Sequence, residues 1–147
     1  MKINQQVYNR IVTTVKEIPP ESGGILGEKN GVIEFVEYDS GIPQGRMCSY
    51  SPNVQRLNYV IAEWEQQGIT FCGMFHTHYF GVETLSEGDI SYIKKIMSSM
   101  PKDITKLYFP LVVLPQREMI VYTARRNVEQ NDVWKEVTIL KEELEYE

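Results

Sequence analysis

The chain has 147 residues, of which 42% are apolar and 24% charged, with a net charge of −5. This is globular composition of one-domain length (residues 1–147), which excludes wholesale disorder, and with no basic stripe it argues against a duplex nucleic-acid binder. No apolar run approaches the roughly 18 residues a membrane span needs, and the segment MKINQQVYNR has no apolar signal core, so a cytoplasmic protein is expected.

In chain order, Ile3, Val7, Ile11 and Val15 recur every four residues and predict an amphipathic helix, with Pro19 and Pro20 as its stop. Gly24–Gly27 and 32–38, either side of a Lys29-Asn30-Gly31 turn, predict a hairpin. A further strand is expected over Arg46–Tyr50. Ser51-Pro52 reads as a helix start, with Ser51 as N-cap and Val54, Leu57, Ile61 and Trp64 on one face. Ile69–Thr77 predicts a buried strand. Ser86–Met100 predicts a helix carrying Ile90, Ile93, Met97 and Met100 on one side. Leu107–Leu114, Glu118–Arg125 and Trp134–Leu140 predict three more strands, with a polar loop at 127–132. Pro110 marks the first of these as an edge strand or a bulge. The acidic end, KEELEYE, reads as a frayed strand or helix end. Strands and helices interleave without strict alternation, so the expected fold class is α/β, of α+β-like character, with a mixed sheet flanked by helices.

Cys48 and Cys72 are too few for a disulfide framework and read as two small, partly buried thiols, with a Cys48–Cys72 bridge or a metal-ligand role as lesser readings.

The chemistry concentrates in His76-Thr77-His78 and Ser86-x-x-Asp89. The chain's two histidines stand two apart at a strand end, so they project on the same face, as does Cys72 by the same alternation. Two imidazoles and one carboxylate form a catalytic zinc set with a fourth position for water. The loop between His78 and Ser86 is long enough to fold the next helix start over the strand end. Two other readings stay open on these residues. Ser86 and Asp89 also form a capping-box pattern, and the histidines could be partly exposed strand-end residues.

Joined together, His76-x-His78, seven residues and Ser86-x-x-Asp89 resemble the JAMM motif of the JAB/MPN-domain metallopeptidases, H-[ST]-H-x(7)-S-x-x-D. Pro20-Glu21-Ser22-Gly23-Gly24-Ile25-Leu26-Gly27 resembles the glutamate-bearing segment of prokaryotic members. The resemblance implies a JAB/MPN, cytidine-deaminase-like three-layer architecture. It implies zinc held by His76, His78 and Asp89, Glu21 as general base, and Ser86 as hydrogen-bond donor to the tetrahedral intermediate. Apart from the resemblance, Glu21 reads as an exposed charge at a strand start. The implied activity is zinc-dependent hydrolysis of a peptide or isopeptide bond at the C-terminal tail of a ubiquitin-like or sulfur-carrier protein, the tail binding as an added strand. A non-catalytic scaffold and a zinc hydrolase of a small amide are the alternatives.

Overall fold

The computed structural model describes residues 1–42, 50–126 and 137–147. The element order is β1 (Lys2–Ile3), α1 (Gln5–Thr14), β2 (Gly23–Lys29), β3 (Val32–Asp39), α2 (Val54–Gln66), β4 (Thr70–His78), α3 (Glu87–Ser99), β5 (Lys106–Val113), β6 (Glu118–Arg125), β7 (Thr138–Glu142) and β8 (Glu145–Tyr146). The strands form one mixed sheet in the order β7-β6-β5-β4-β2-β3-β1-β8. Of the strand expected over Arg46–Tyr50, residues 46–49 lie outside the described residues, as do Cys48 and the polar loop at 127–132, and Tyr50 is not in a strand.

The sheet curls. β7 and β8 occupy its opposite edges, yet only Glu143 and Leu144 separate them. Three Cα steps span at most about 11 Å, so the two edges must approach each other. The C-terminal segment is therefore no frayed end: Glu145 and Tyr146 pair in parallel with Lys2 and Ile3. Helix α1 packs one sheet face, its Val7 and Ile11 clustering with Leu26, Phe75, Val112 and Val121 from across the sheet. Helices α2 and α3 cover the other face. Leu57 and Trp64 meet Ile25 there, and Ile93 and Met97 meet Leu107, Phe109 and Leu111. The central strands thus send side chains to both faces and feed cores on each, which gives the three expected layers. Among the described residues no helix is long and apolar enough to cross a membrane.

Several local expectations shift. Ile3 belongs to β1, and α1 ends at Thr14, before the prolines, where Arg117 donates to the carbonyls of Val12 and Val15. Helix α2 starts later than Ser51. Asn53 is its N-cap, because the Asn53 N–H is held by the buried carboxylate of Asp39 at 3.0 Å. Val54 is consequently turned outward and is 53% exposed. β5 is an interior strand despite Pro110. Its pairing with β4 passes from Gly73↔Tyr108 to His76↔Leu111 across the proline, which has no amide proton to donate. The Asn30-Gly31 turn is as expected, with both residues at positive φ (55° and 80°), the two-residue hairpin geometry.

The most consequential departure is a β-bulge in β4. Leu26 pairs with Gly73 but Gly27 with Phe71, leaving Cys72 as the extra residue. Its side chain joins the α1-side core with Phe75, while Phe71 and Met74 face α2 and α3. Cys72 therefore does not share a face with His76, as strict alternation would require. It is buried and free, it donates weakly to the Leu26 carbonyl at 3.4 Å, and burial raises its thiol pKa well above the ordinary value. Gly73 is required at this bulge: a Cβ there would collide with the Tyr108 carbonyl oxygen of β5.

Candidate metal centre

His76 and His78 stand at the C-terminal end of β4, on the face away from α1. Two residues apart and beyond the bulge, they bring their Nε2 atoms to 3.2 Å of each other. Helix α3 begins directly over them. Its Asp89 places Oδ1 3.3 Å from His76 Nε2 and Oδ2 3.0 Å from His78 Nε2. Glu21 arrives from the adjacent, antiparallel β2, where Gly23 pairs with His76. One ligand atom from each of Glu21, His76 and His78 lies within 4.8 Å of the others.

Two backbone devices hold this arrangement. The first is the start of α3. Ser86 Oγ accepts from the Asp89 N–H at 3.0 Å, and Asp89 Oδ2 accepts from the Ser86 N–H at 2.9 Å. The capping box is thus present, and Asp89 caps the helix while also facing the histidines. Because Ser86 Oγ accepts from Asp89, its own hydroxyl proton is left to point elsewhere. The second device is Thr77. Fully buried between the two histidines, it accepts from the Ser22 N–H at 3.0 Å, and its own N–H donates to the Ser22 carbonyl at 2.9 Å. This clamp fixes the residue after Glu21 to the residue between His76 and His78. Farther back, the Tyr79 hydroxyl lies among the carbonyls of Lys16, Ile18 and Pro20, at 2.7 to 3.1 Å, and ties down the loop leading to Glu21.

The donor set fits a divalent cation. Two imidazole nitrogens at about 2.0–2.1 Å from a tetrahedral ion are about 3.3–3.4 Å apart, close to the 3.2 Å between the His76 and His78 Nε2 atoms. These residue types suit zinc among other metals.

Neither a family model nor any curated protein matches this sequence. Solved structures do. A protein from Desulfitobacterium hafniense is similar with a TM-score of 0.66 at 16% identity, covering 99% of this chain and 92% of its own. A JAB1/MPN domain protein from Archaeoglobus fulgidus is similar with a TM-score of 0.52 at 19% identity, covering 99% of this chain and 98% of its own.

The fold is JAB/MPN-like.

On this JAB/MPN-like fold Glu21, His76, His78, Ser86 and Asp89 all line one cleft, with a volume of about 490 Å³. Their electrostatics differ sharply. Burial is the main cause that pushes the Glu21 carboxyl up to about 7; the Asp89 charge adds to it and His78 opposes it. Burial also works against charge on Asp89, but hydrogen bonds from His76 and His78 and from the Ser86 backbone hold it well below the usual carboxylate range. Burial works to lower the pKa of His78; the hydrogen bond to Asp89 and the charges of Glu21 and Asp89 outweigh it, so the ring's pKa is raised. Protons and a metal ion therefore compete for His78. One carboxylate is kept ionised beside the imidazoles while its neighbour is held near neutrality.

Sequence reasoning missed two contributors. Thr77 was seen only as a motif position, and its clamp depends on which strand lies beside it. Tyr50 lines the same cleft and packs over Gly23, where a Cβ would stand 2.7 Å from its ring. Its hydroxyl donates to Asp39 Oδ2 at 2.8 Å, a pairing across a loop with no local signal.

Proposed function

We propose that the chain is a zinc-dependent hydrolase of peptide or isopeptide bonds. The observation that carries this reading is the convergence of the His76 and His78 Nε2 atoms with the two carboxylate oxygens of Asp89, with the half-buried carboxylate of Glu21 within 4.8 Å of the histidines.

In this reading His76, His78 and Asp89 hold the metal. A bound zinc ion supplies a Lewis acid that lowers the pKa of water towards about 7. Glu21, half-buried beside the histidines, would take the proton from the attacking water and deliver it to the leaving amine. Ser86 turns its hydroxyl proton towards the carbonyl oxygen as that atom gains negative charge. Thr77 keeps the two strands in register, so that base and ligands stay at working distance. No side-chain nucleophile is needed, in keeping with the burial of Cys72 on the opposite face.

For substrate, the C-terminal tail of a ubiquitin-like or sulfur-carrier protein is the proposal that follows from the motif. The added-strand mode of binding needs revision. β2 lies between β3 and β4, and β4 between β2 and β5, so neither site strand offers a free edge. The tail instead crosses the strand ends through the cleft. A small amide is the second reading, favoured by a cleft volume within the range of about 300–1,000 Å³ usual for small ligands.

The test uses zinc-reconstituted protein against a tailed ubiquitin-like protein and a panel of small acyl amides. Release of the tail, abolished in Glu21→Gln with zinc retained, is the expected result. Turnover of small amides alone would move the assignment to the second reading. Full activity in Glu21→Gln would remove Glu21 as the base.

A further inference from the structure

The cleft beside the candidate metal centre is far larger than the centre itself and is mostly apolar. Tyr50, Met74, Phe80, Val82, Tyr92 and Ile96 form its walls and rim, while the ionisable groups gather at one end. A second cavity, of about 400 Å³, shares Met74, Tyr92 and Ile96 with it and continues between α2 and α3. The rim is unusually open for apolar side chains: Phe80 is 78% exposed, Val82 47% and Tyr92 38%.

Phe80 is the telling residue. It lies two positions after His78 and has φ 62°, followed by Gly81 at φ 72°. A left-handed backbone is unfavourable at a non-glycine residue, and an aromatic ring gains little back when held in water. Its only described ring partner is Tyr79, at 6.2 Å between centroids. Another lining residue of the cleft is held by hydrogen bonds. Tyr50 is held by its hydrogen bond to Asp39, and Asp39 is in turn held by the Asn53 N–H and Arg56. Because the Tyr50 hydroxyl is taken by Asp39, the residue presents a ring, not a polar group, to the cleft.

We infer that this cleft is a specificity pocket for a bulky apolar side chain, aromatic or long aliphatic, carried by the substrate next to the bond that is cut. The inference rests on the hydrolase reading and narrows it. A tail of small residues alone would leave the apolar walls wet. A phenylalanine or leucine would remove Phe80, Tyr92 and Val82 from water together. Continuity with the centre sets which residue is read, since Tyr50 and Tyr92 line the same cleft as Glu21 and Ser86.

The experiment is a positional-scanning library of short peptides with zinc-loaded protein. Labelled peptides are also titrated onto zinc-loaded Glu21→Gln, with binding read by fluorescence anisotropy. Phenylalanine or leucine at one position flanking the cut is expected to raise kcat/KM by about 10- to 100-fold over glycine, and to tighten binding to Glu21→Gln in parallel. Phe80→Ala and Tyr92→Ala should each weaken the apolar peptide several-fold more than the glycine peptide. Cleavage that is indifferent to side-chain size, or best with glycine, overturns the pocket and leaves the hydrolase reading standing. Apolar-selective binding without cleavage of any peptide, by protein that also releases no tail from a ubiquitin-like protein and turns over no small amide, keeps the pocket and overturns the hydrolase reading. Neither binding nor cleavage of any of these overturns both.

Discussion

Asp39 and Asp89 are both shielded carboxylates at the start of a helix, and both are held below their ordinary pKa. Their partners differ in kind. Asp39, 4% exposed, is satisfied by the Asn53 N–H, the Tyr50 hydroxyl and the Arg56 guanidinium, none of which changes protonation near neutral pH. Asp89 is satisfied by the Ser86 N–H and by two imidazoles, which can exchange a proton for a metal ion. A depressed carboxylate by itself says little about function. What separates architecture from chemistry is whether the partner groups can themselves be exchanged.

Removing each carboxylate breaks the comparison most sharply. Asp89→Ala should lower zinc affinity by more than about 100-fold and take activity to background, because a ligand is lost outright and not merely an outer-shell partner. Its fold should survive, weakened by about 1 kcal/mol for the lost cap. Asp39→Ala should do the reverse. It leaves the Tyr50 hydroxyl and the Asn53 N–H without their acceptor and should destabilise the protein by about 2–3 kcal/mol in denaturant titration. Arg56 is 41% exposed, so its share of that loss is screened. Zinc content should stay at the wild-type level.

Thr77→Val tests the clamp between the two strands at smaller scale. The Ser22 N–H loses its hydroxyl partner inside the core, which should cost about 1–2 kcal/mol. Zinc should be retained while kcat falls, since the proposed ligands all lie on β4 and α3 but the proposed base, Glu21, lies beyond Ser22.

The pH dependence sharpens the contrast further. The folded pKa of Asp39 is depressed, so its stabilisation is fully present above the ordinary value of about 4 and is lost as pH falls towards the lowered one. Asp39→Asn should flatten that acid limb. Glu21 has the opposite sign. Its folded pKa is raised to about 7, so metal-free protein loses stability as pH rises from about 4.5 through 7. Metal-free Glu21→Gln should therefore melt above wild type at pH 8 by a few degrees, with the gain gone near pH 4.

The legible parts of this molecule were those coded locally. The periods of α1, α2 and α3 and the Asn30-Gly31 turn follow from spacing alone. The meeting of His76, His78 and Asp89 was allowed by spacing, a strand end, a loop and a helix start within fourteen positions, 76 to 89, and was expected through the resemblance. Glu21 was reached only through resemblance, since its place depends on β2 pairing with β4 across more than fifty residues. The same cause hid the rest. The bulge at Cys72 is set by long-range register, and so it defeated the alternation argument. β1 and β8 span two residues each and carry no periodicity. Pro110 misled because an interior strand can host a proline wherever the ladder skips an amide. Asn53, not Ser51, caps α2 because a carboxylate from β3 claims its N–H.

The most direct measurement is metal content by elemental analysis of untagged protein, wild type beside His76→Ala, Asp89→Ala and Asp39→Asn. The expected result is about one zinc per chain in wild type and Asp39→Asn, and none in the His76 and Asp89 variants. Protein that stays metal-free after zinc is supplied, or a His76→Ala variant that holds zinc as tightly as wild type, would contradict the assignment of this cluster as a metal centre.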